Sequence, residues 1–285
     1  MPRYLLRMLT TSRALRRSAV PMPALLTALV TALLATGCTR ATSRERGDVV
    51  LAGSTSIQPF AERWAEAYSA GRVTVQSGGS TAGIKAARDG TADVGMSSRQ
   101  LSAAESAGLV QTVVARDGIA VIVHADNPVQ ALTLTQLRNI YSGTVRNWRE
   151  VGGVDAAITV ITREEGSGTR DTFQQLVMGA GVAVAREALV TAYSGGLRKM
   201  VAEDPHAIGY VTFSQLNDHV HAVALDGVLP TEQSIQNARY RLQRPFLFLT
   251  RGAPTAAPGR FLQFVLSPRG QAIARAEGLA PVSTF

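Results

Sequence analysis

"DVVLAGSTSIQPFAERWAEAY", residues 48–68, sets a short apolar strand against a helix with one apolar face and joins them through small residues, Gly53 to Ser56. Ile57, Phe60, Ala61, Trp64 and Tyr68 recur at the i, i+3, i+4, i+7, i+11 spacing of a helix that buries one side. Pro59 is tolerated only in a first turn, which puts the helix start close to Ser56. The same plan returns twice. "RVTVQSGGSTAGIKAARDG", residues 72–90, alternates Val73 and Val75, turns through "SGGST" and stops a short helix at Gly90. "AITVITREEGSGTRDTFQQLVMG", residues 157–179, puts Phe173, Leu176 and Val177 on an inner helical face and ends at Gly179. A further Ser-rich strand end is "ADVGMSSRQL", residues 92–101. Strand, small-residue turn and helix form the unit of a parallel sheet with covered faces, so the pattern predicts an α/β fold.

Ligands of such folds sit beyond the carboxyl ends of the strands, where these turns gather. Each turn offers backbone N–H groups and hydroxyls, and each helix start adds about half a positive elementary charge. Taken singly, each turn is equally an ordinary N-cap, since Ser and Thr are preferred there. One cap needs only one side chain, however, and here hydroxyl residues are doubled and flanked by glycines. That surplus asks for a ligand, and its chemistry suits a small oxyanion with many acceptor oxygens. In the third turn two arginines and two acids, Arg163, Glu164, Glu165 and Arg170, surround Gly166, Ser167 and Gly168.

With 285 residues and 46% hydrophobic content, the chain can build one large domain or two of ordinary size. Residues 1–37 hold Arg3, Arg7, Arg13, Arg16 and Arg17 and no acid, and so account for most of the net charge of +8. The basic character therefore belongs to the leader and gives no nucleic-acid signal. An apolar run from Ala24 to Gly37 follows the basic region and ends at Cys38, which reads as an export signal over residues 1–37. "LATGC" resembles the lipobox of bacterial lipoproteins, although Ala35 stands where leucine is commoner. Cys38 is the sole cysteine, so no disulfide can form within the chain, and lipidation there, by palmitate among other chains, would tie the N-terminus to a membrane. Residues 38–47 are polar and charged and read as a flexible tether.

"GSTSIQPFAERW", "SGGSTAGI", "ADVGMSSRQL", "LRNIYSGTVRNW" and "REEGSGTRDTF" resemble, in order and spacing, the phosphate-binding proteins of bacterial phosphate ABC transporters. The resemblance runs from about Asp48 to the C-terminal "GLAPV". It implies a two-lobe periplasmic-binding-protein fold of type II, with mixed sheets, helices on both faces and a ligand cleft between the lobes. Lobe I would comprise residues 48–122 and 238–285, and lobe II residues 123–237. "DGIAVIVHADNP" and "YRLQRPFLFLT" would make the two crossings.

The resemblance also assigns a site. Thr55 and Ser56 fall on the contacts of the first turn and Ser80 on that of the second. Arg163 falls on the arginine that pairs with phosphate, and Ser167, Gly168 and Thr169 on the donors of a helix start. Glu165 falls on the acid that holds the arginine's plane. Ser98 stands where many members carry an aspartate that accepts a hydrogen bond from protonated phosphate, which leaves sulfate, arsenate or molybdate as rival ligands. Arg99 either reaches the anion or pairs with an acid near the cleft.

The implied function is capture of inorganic phosphate outside the cytoplasm, in the periplasm or at the cell exterior. A monomer would deliver the ion to a permease and ATPase complex, with no cofactor, metal or catalytic residue. A phosphate sensor on the same scaffold is an alternative, and a serine hydrolase is a more distant one. "GGSTAG" is not a nucleophile elbow, and none of His124, His206, His219 and His221 sits in a partner motif.

Overall fold

A computed structural model describes residues 47–254 and 256–282. The expected export signal, Cys38 and the tether up to residue 46 lie outside the described residues.

The first strand–turn–helix unit consists of β1 (Val49–Gly53) and the helix Gln58–Ala67, with Pro59 in the first turn. In the second, β2 (Val73–Ser77) leads to the helix Ser80–Asp89, which ends at Gly90 in the left-handed conformation. β3 (Val94–Ser97) runs parallel to β1, as does β2. β4 (Leu109–His124) follows, and the short β5 (Ala131–Leu132) comes before the third unit. That unit is β6 (Thr159–Arg163) and the helix Gly168–Phe173, which continues as one π-helical turn to Met178. The remaining strands are β7 (Leu189–Thr191), β8 (Ala207–Thr212), β9 (Val220–Ala222), β10 (Ala224–Leu225), β11 (Gln243–Arg251) and β12 (Ala280–Pro281).

The main sheet runs β2-β1-β3-β11-β4-β8-β6-β7, with β9 and β12 also paired to β4. β4 belongs to both halves of this sheet. From Leu109 to Gly118 it pairs antiparallel with β11, and from Ile119 to Val123 it pairs antiparallel with β8. Just before β11, Leu242 O accepts from Ile119 N and Tyr240 Oη donates to Ile119 O, so both crossings are tied at the point where β4 changes partner. The result is a periplasmic-binding-protein fold of two α/β lobes.

Each lobe has apolar cores on both faces of its part of the sheet, because successive strand side chains point to opposite sides. Along β11, Phe246 and Phe248 join Leu51, Phe60, Trp64 and Phe261 on one face. Leu247 and Leu249 meet Ile84 and Ala87 on the other. Along β4, Ile119, Val121 and Val123 pack with Tyr141, Trp148, Phe173 and Tyr210. Ala120 and Ile122 pack with Leu197 and Val201. This two-sided burial explains why the segments "GIAVIV" and "PFLFL" of the two crossings read as unbroken apolar runs. Trp64 is fully buried, packs edge-on against Phe248 and donates through Nε1 to Gly270 O at 2.8 Å. Burying a side chain of this kind stabilises the fold by about 1.5–3 kcal/mol.

Candidate functional site

Four segments end at the seam between the lobes. The β1 turn brings Ser54, Thr55 and Ser56, the start of the helix Ser80–Asp89 brings Ser80, and the end of β3 brings Ser98. From the second lobe come Arg163 at the end of β6 and Gly168 and Thr169 at the next helix start. Ser54, Ser56, Ser80, Ser98, Arg163 and Thr169 are all buried, Arg163 being only 1% exposed.

The hydroxyls form two sets, joined where Ser56 N donates to Ser54 Oγ at 3.3 Å. Ser54 Oγ donates to Ser98 Oγ at 2.9 Å, and Ser98 N donates to Ser80 Oγ at 3.0 Å. Ser56 Oγ lies 2.9 Å from Thr169 Oγ1 and 3.1 Å from Ser194 Oγ, both in the other lobe. Gly168 fits against this cluster only because it lacks a side chain. A β-carbon there would run into Ser80 Oγ and lie 2.7 Å from Ser98 Oγ. Nearby, Thr81 N donates to Gly166 O at 3.2 Å, a further contact across the seam.

Arg163 spends one edge on a carboxylate and points the other at hydroxyls. Nε and Nη2 fork onto Glu164 at 2.8 and 2.9 Å, while Nη1 donates to Ser194 Oγ at 2.7 Å and Nη2 to Thr55 Oγ1 at 3.0 Å. Such a bidentate pair fixes the guanidinium plane. The acid that does this is Glu164, which corrects the assignment to Glu165. Gly166 adopts a positive φ of 86°, and the turn it makes leaves Glu165 exposed at the tip while Glu164 lies along the arginine.

Two other predicted residues, Ser167 and Arg99, settle differently from the central set. Ser167 Oγ accepts from Arg170 N at 3.4 Å and so caps its own helix. Arg99 forks onto Glu105 at 2.8 and 2.7 Å. Its Nε lies 2.7 Å from Asp171 in the other lobe, an ion-pair contact rather than an aligned hydrogen bond. Of the two readings open for Arg99, pairing with nearby acids is the one observed. The Arg99 guanidinium holds the Glu105 carboxyl at about 2, against the opposing effect of burial. Burial raises Asp171, and Arg99 pulls it back. Arg170 Nη1 donates to Arg163 O at 3.1 Å and buttresses the end of β6.

Sequence reasoning missed Ser54, Ser194, Asp117 and Arg244. Ser194 opens the helix Ser194–Glu203 within "AYSGG", a small-residue turn like the other three. Asp117 and Arg244 face each other across β4 and β11 and are both buried, with Nε and Nη2 of the arginine 2.9 Å from Asp117 Oδ2. An acid and a base in otherwise apolar crossings were the available signal, since such residues are almost never fully buried unless paired. Burial pushes the Asp117 carboxyl up to about 6 while the Arg244 guanidinium pulls it down. Among the described residues, no group of His, Cys, Asp or Glu is arranged to hold a metal ion, and no helix is long and apolar enough to cross a membrane.

The PBP superfamily domain matches residues 39–269 of the chain. A phosphate-binding protein PstS of Bacillus subtilis is 31% identical over 246 residues, covering 83% of this chain and 81% of that protein. A Clostridium perfringens crystal structure with bound phosphate, described as a candidate phosphate ABC transporter substrate-binding protein, is 40% identical. It superposes with a TM-score of 0.80 over 83% of this chain and 100% of that one. An ABC-type phosphate transport receptor from Vibrio cholerae is 34% identical, with a TM-score of 0.71 over 82% of this chain and 100% of that one. With this fold, this seam of hydroxyls around a buried arginine and these relatives, the chain belongs to the PBP superfamily and, within it, to the phosphate-binding proteins of ABC transporters.

Proposed function

We propose that the chain captures inorganic phosphate between its lobes and delivers it to the permease and ATPase of an ABC transporter. The observation that carries this reading is the buried Arg163 guanidinium, fixed by Glu164 and ringed by hydroxyls from both lobes. A buried dianion must be met by many hydrogen bonds and by opposite charge, or it stays in water. Ser56, Ser80, Ser98, Thr169 and Ser194 supply the hydrogen bonds and Arg163 supplies the charge. The phosphate bound in the Clostridium perfringens relative supports the choice of ion.

Capture works by closure, with binding energy drawn from contacts that exist only when both lobes surround the ion. The motion bends the chain where β4 passes from β11 to β8, between Gly118 and Ile119, and in the return crossing before Gln243. Lobe I would then comprise residues 48–118 and 243–282, where the sequence reading puts 48–122 and 238–285. Lipidation at Cys38 would hold a monomer at the outer side of a bacterial membrane, within reach of the permease. The clustered hydroxyls hydrogen-bond to one another and to arginine, which favours an anion shell over the nucleophile–base pair that a hydrolase needs.

Calorimetric titration of the purified chain against phosphate, sulfate, arsenate and molybdate tests the reading. One-to-one saturation with phosphate, tighter than with sulfate, is expected. Sulfate binding more tightly than phosphate would make this a sulfate binder, and silence towards all four ions would remove the anion site altogether.

A further inference from the structure

Arg244 sits outside the ring of hydroxyls yet touches it. Its Nη1 donates to Thr169 Oγ1 at 2.6 Å and to Ser98 O at 3.3 Å, and its Nη2 donates to Thr212 Oγ1 at 3.0 Å. Asp117 takes the remaining edge. Ser98 and Asp117 lie on the first lobe and Thr169 and Thr212 on the second, so one buried side chain spans the seam beside the point where β4 changes partner. Every polar atom of this guanidinium is engaged by protein, and it acts on an anion only through its neighbours.

The direction of the Thr169 hydroxyl follows from this. A guanidinium has donors and no acceptor, so Thr169 Oγ1 must accept from Arg244. Its own proton must then point elsewhere, and the neighbouring partner is Ser56 Oγ. The same logic repeats on the other side, where Arg163 Nη1 donates to Ser194 Oγ, which leaves the serine proton free to turn towards Ser56 Oγ. Two arginines thus face two hydroxyls that converge on a third. With one lone pair taken by an arginine, each hydroxyl is biased to donate on its other side, which suits a ligand whose oxygens are acceptors.

We infer that Arg244, braced by Asp117, is a positioning residue of the anion site: by occupying one lone pair of Thr169 Oγ1 it turns the threonine O–H away from the arginine, towards Ser56 before an anion enters and towards the tetraoxo anion once it is bound. This rests on the anion-site reading above and deepens it. It gives a reason for keeping a buried ion pair at a seam, where two well-packed apolar residues of similar volume would often be at least as stabilising. Asp117 holds the guanidinium edge-on, and without that brace the long side chain would lose the orientation that selects one hydroxyl rotamer.

A double-mutant cycle on the full chain tests this, with phosphate as titrant and thermal midpoints recorded alongside. Arg244→Met and Thr169→Val are each expected to weaken phosphate binding roughly tenfold, by about 1.4 kcal/mol. The double variant should bind about as weakly as the worse single, because both substitutions remove the same donated hydrogen. A purely structural arginine would lower the midpoint and leave the two losses multiplicative. Full multiplicativity, or wild-type affinity in Arg244→Met, overturns the inference while leaving phosphate capture intact. Failure of the wild-type chain to bind phosphate, sulfate, arsenate or molybdate overturns both.

Should Arg244→Met fail to fold, neutron diffraction on the deuterated wild-type chain with phosphate decides the matter. The inference expects the Thr169 deuteron directed at a phosphate oxygen and an Arg244 Nη1 deuteron directed at Thr169 Oγ1. A Thr169 deuteron pointing to any protein acceptor with phosphate bound overturns it.

Discussion

Gly168 in one lobe lies against Ser80 in the other so closely that a single added methyl group would collide with the serine hydroxyl and come within 3.0 Å of Ser80 Cβ. The contact crosses the seam, so it exists only while the lobes are together. Alanine is otherwise welcome near a helix start, and its cost here is confined to closure. Overpacking a tight contact costs about 1–3 kcal/mol. Gly168→Ala is therefore expected to weaken phosphate binding by about one to two powers of ten while shifting the anion-free thermal midpoint little. Unchanged affinity in a calorimetric titration would show that the lobes do not approach this closely around the ligand.

Glu164 and Glu165 are adjacent, and only Glu164 reaches Arg163. Glutamine at position 164 puts an N–H₂ group against one guanidinium N–H and breaks the fork. Hydrogen bonds to charged groups contribute about 1.5–3 kcal/mol, so Glu164→Gln should cost about tenfold or more in phosphate affinity. Glu165→Gln should cost nothing measurable, because that side chain is exposed. The opposite order in paired titrations would return the orienting role to Glu165.

Glu105 gives a pH signature. Arg99 holds its carboxyl at about 2, below the ordinary 4.5. A carboxylate with a lowered folded value contributes stability that is fully present above about 4.5 and disappears as pH falls towards about 2. Glu105→Gln should therefore narrow its stability gap from wild type progressively between these two pH values, as followed by denaturant unfolding. A gap that stays constant across the window would mean that the Arg99–Glu105 fork does not hold in solution.

The architecture was legible because each strand–turn–helix unit carries its own signal within about twenty residues. Apolar alternation, a small-residue turn and a periodic helical face are local features, and the surplus hydroxyls at Thr55, Ser56, Ser80 and Thr169 marked the turns that meet. Glu164 was misread because the choice between adjacent acids depends on the positive φ of Gly166, a backbone fact that composition does not carry. Ser194 escaped because the strand before it, Leu189–Thr191, is short and largely exposed and has no alternation to flag it. Asp117 and Arg244 are 127 residues apart, and their meeting is set by the register of β4 against β11, including a shift between Phe246 and Leu247. Side chains paired by long-range register are visible only once the strands are aligned.

The central claim is that Arg163 supplies the buried charge that an oxyanion needs, with hydroxyls from both lobes in support. Parallel phosphate titrations of wild type, Arg163→Ala and Ser56→Ala test it most directly. Losing a buried charged partner costs about 2–5 kcal/mol, whereas one neutral hydrogen bond costs about 1 kcal/mol. The account expects Arg163→Ala to lose at least about thirtyfold in affinity and Ser56→Ala about fivefold. Equal losses in the two variants, or phosphate bound as tightly by Arg163→Ala as by wild type, would contradict it.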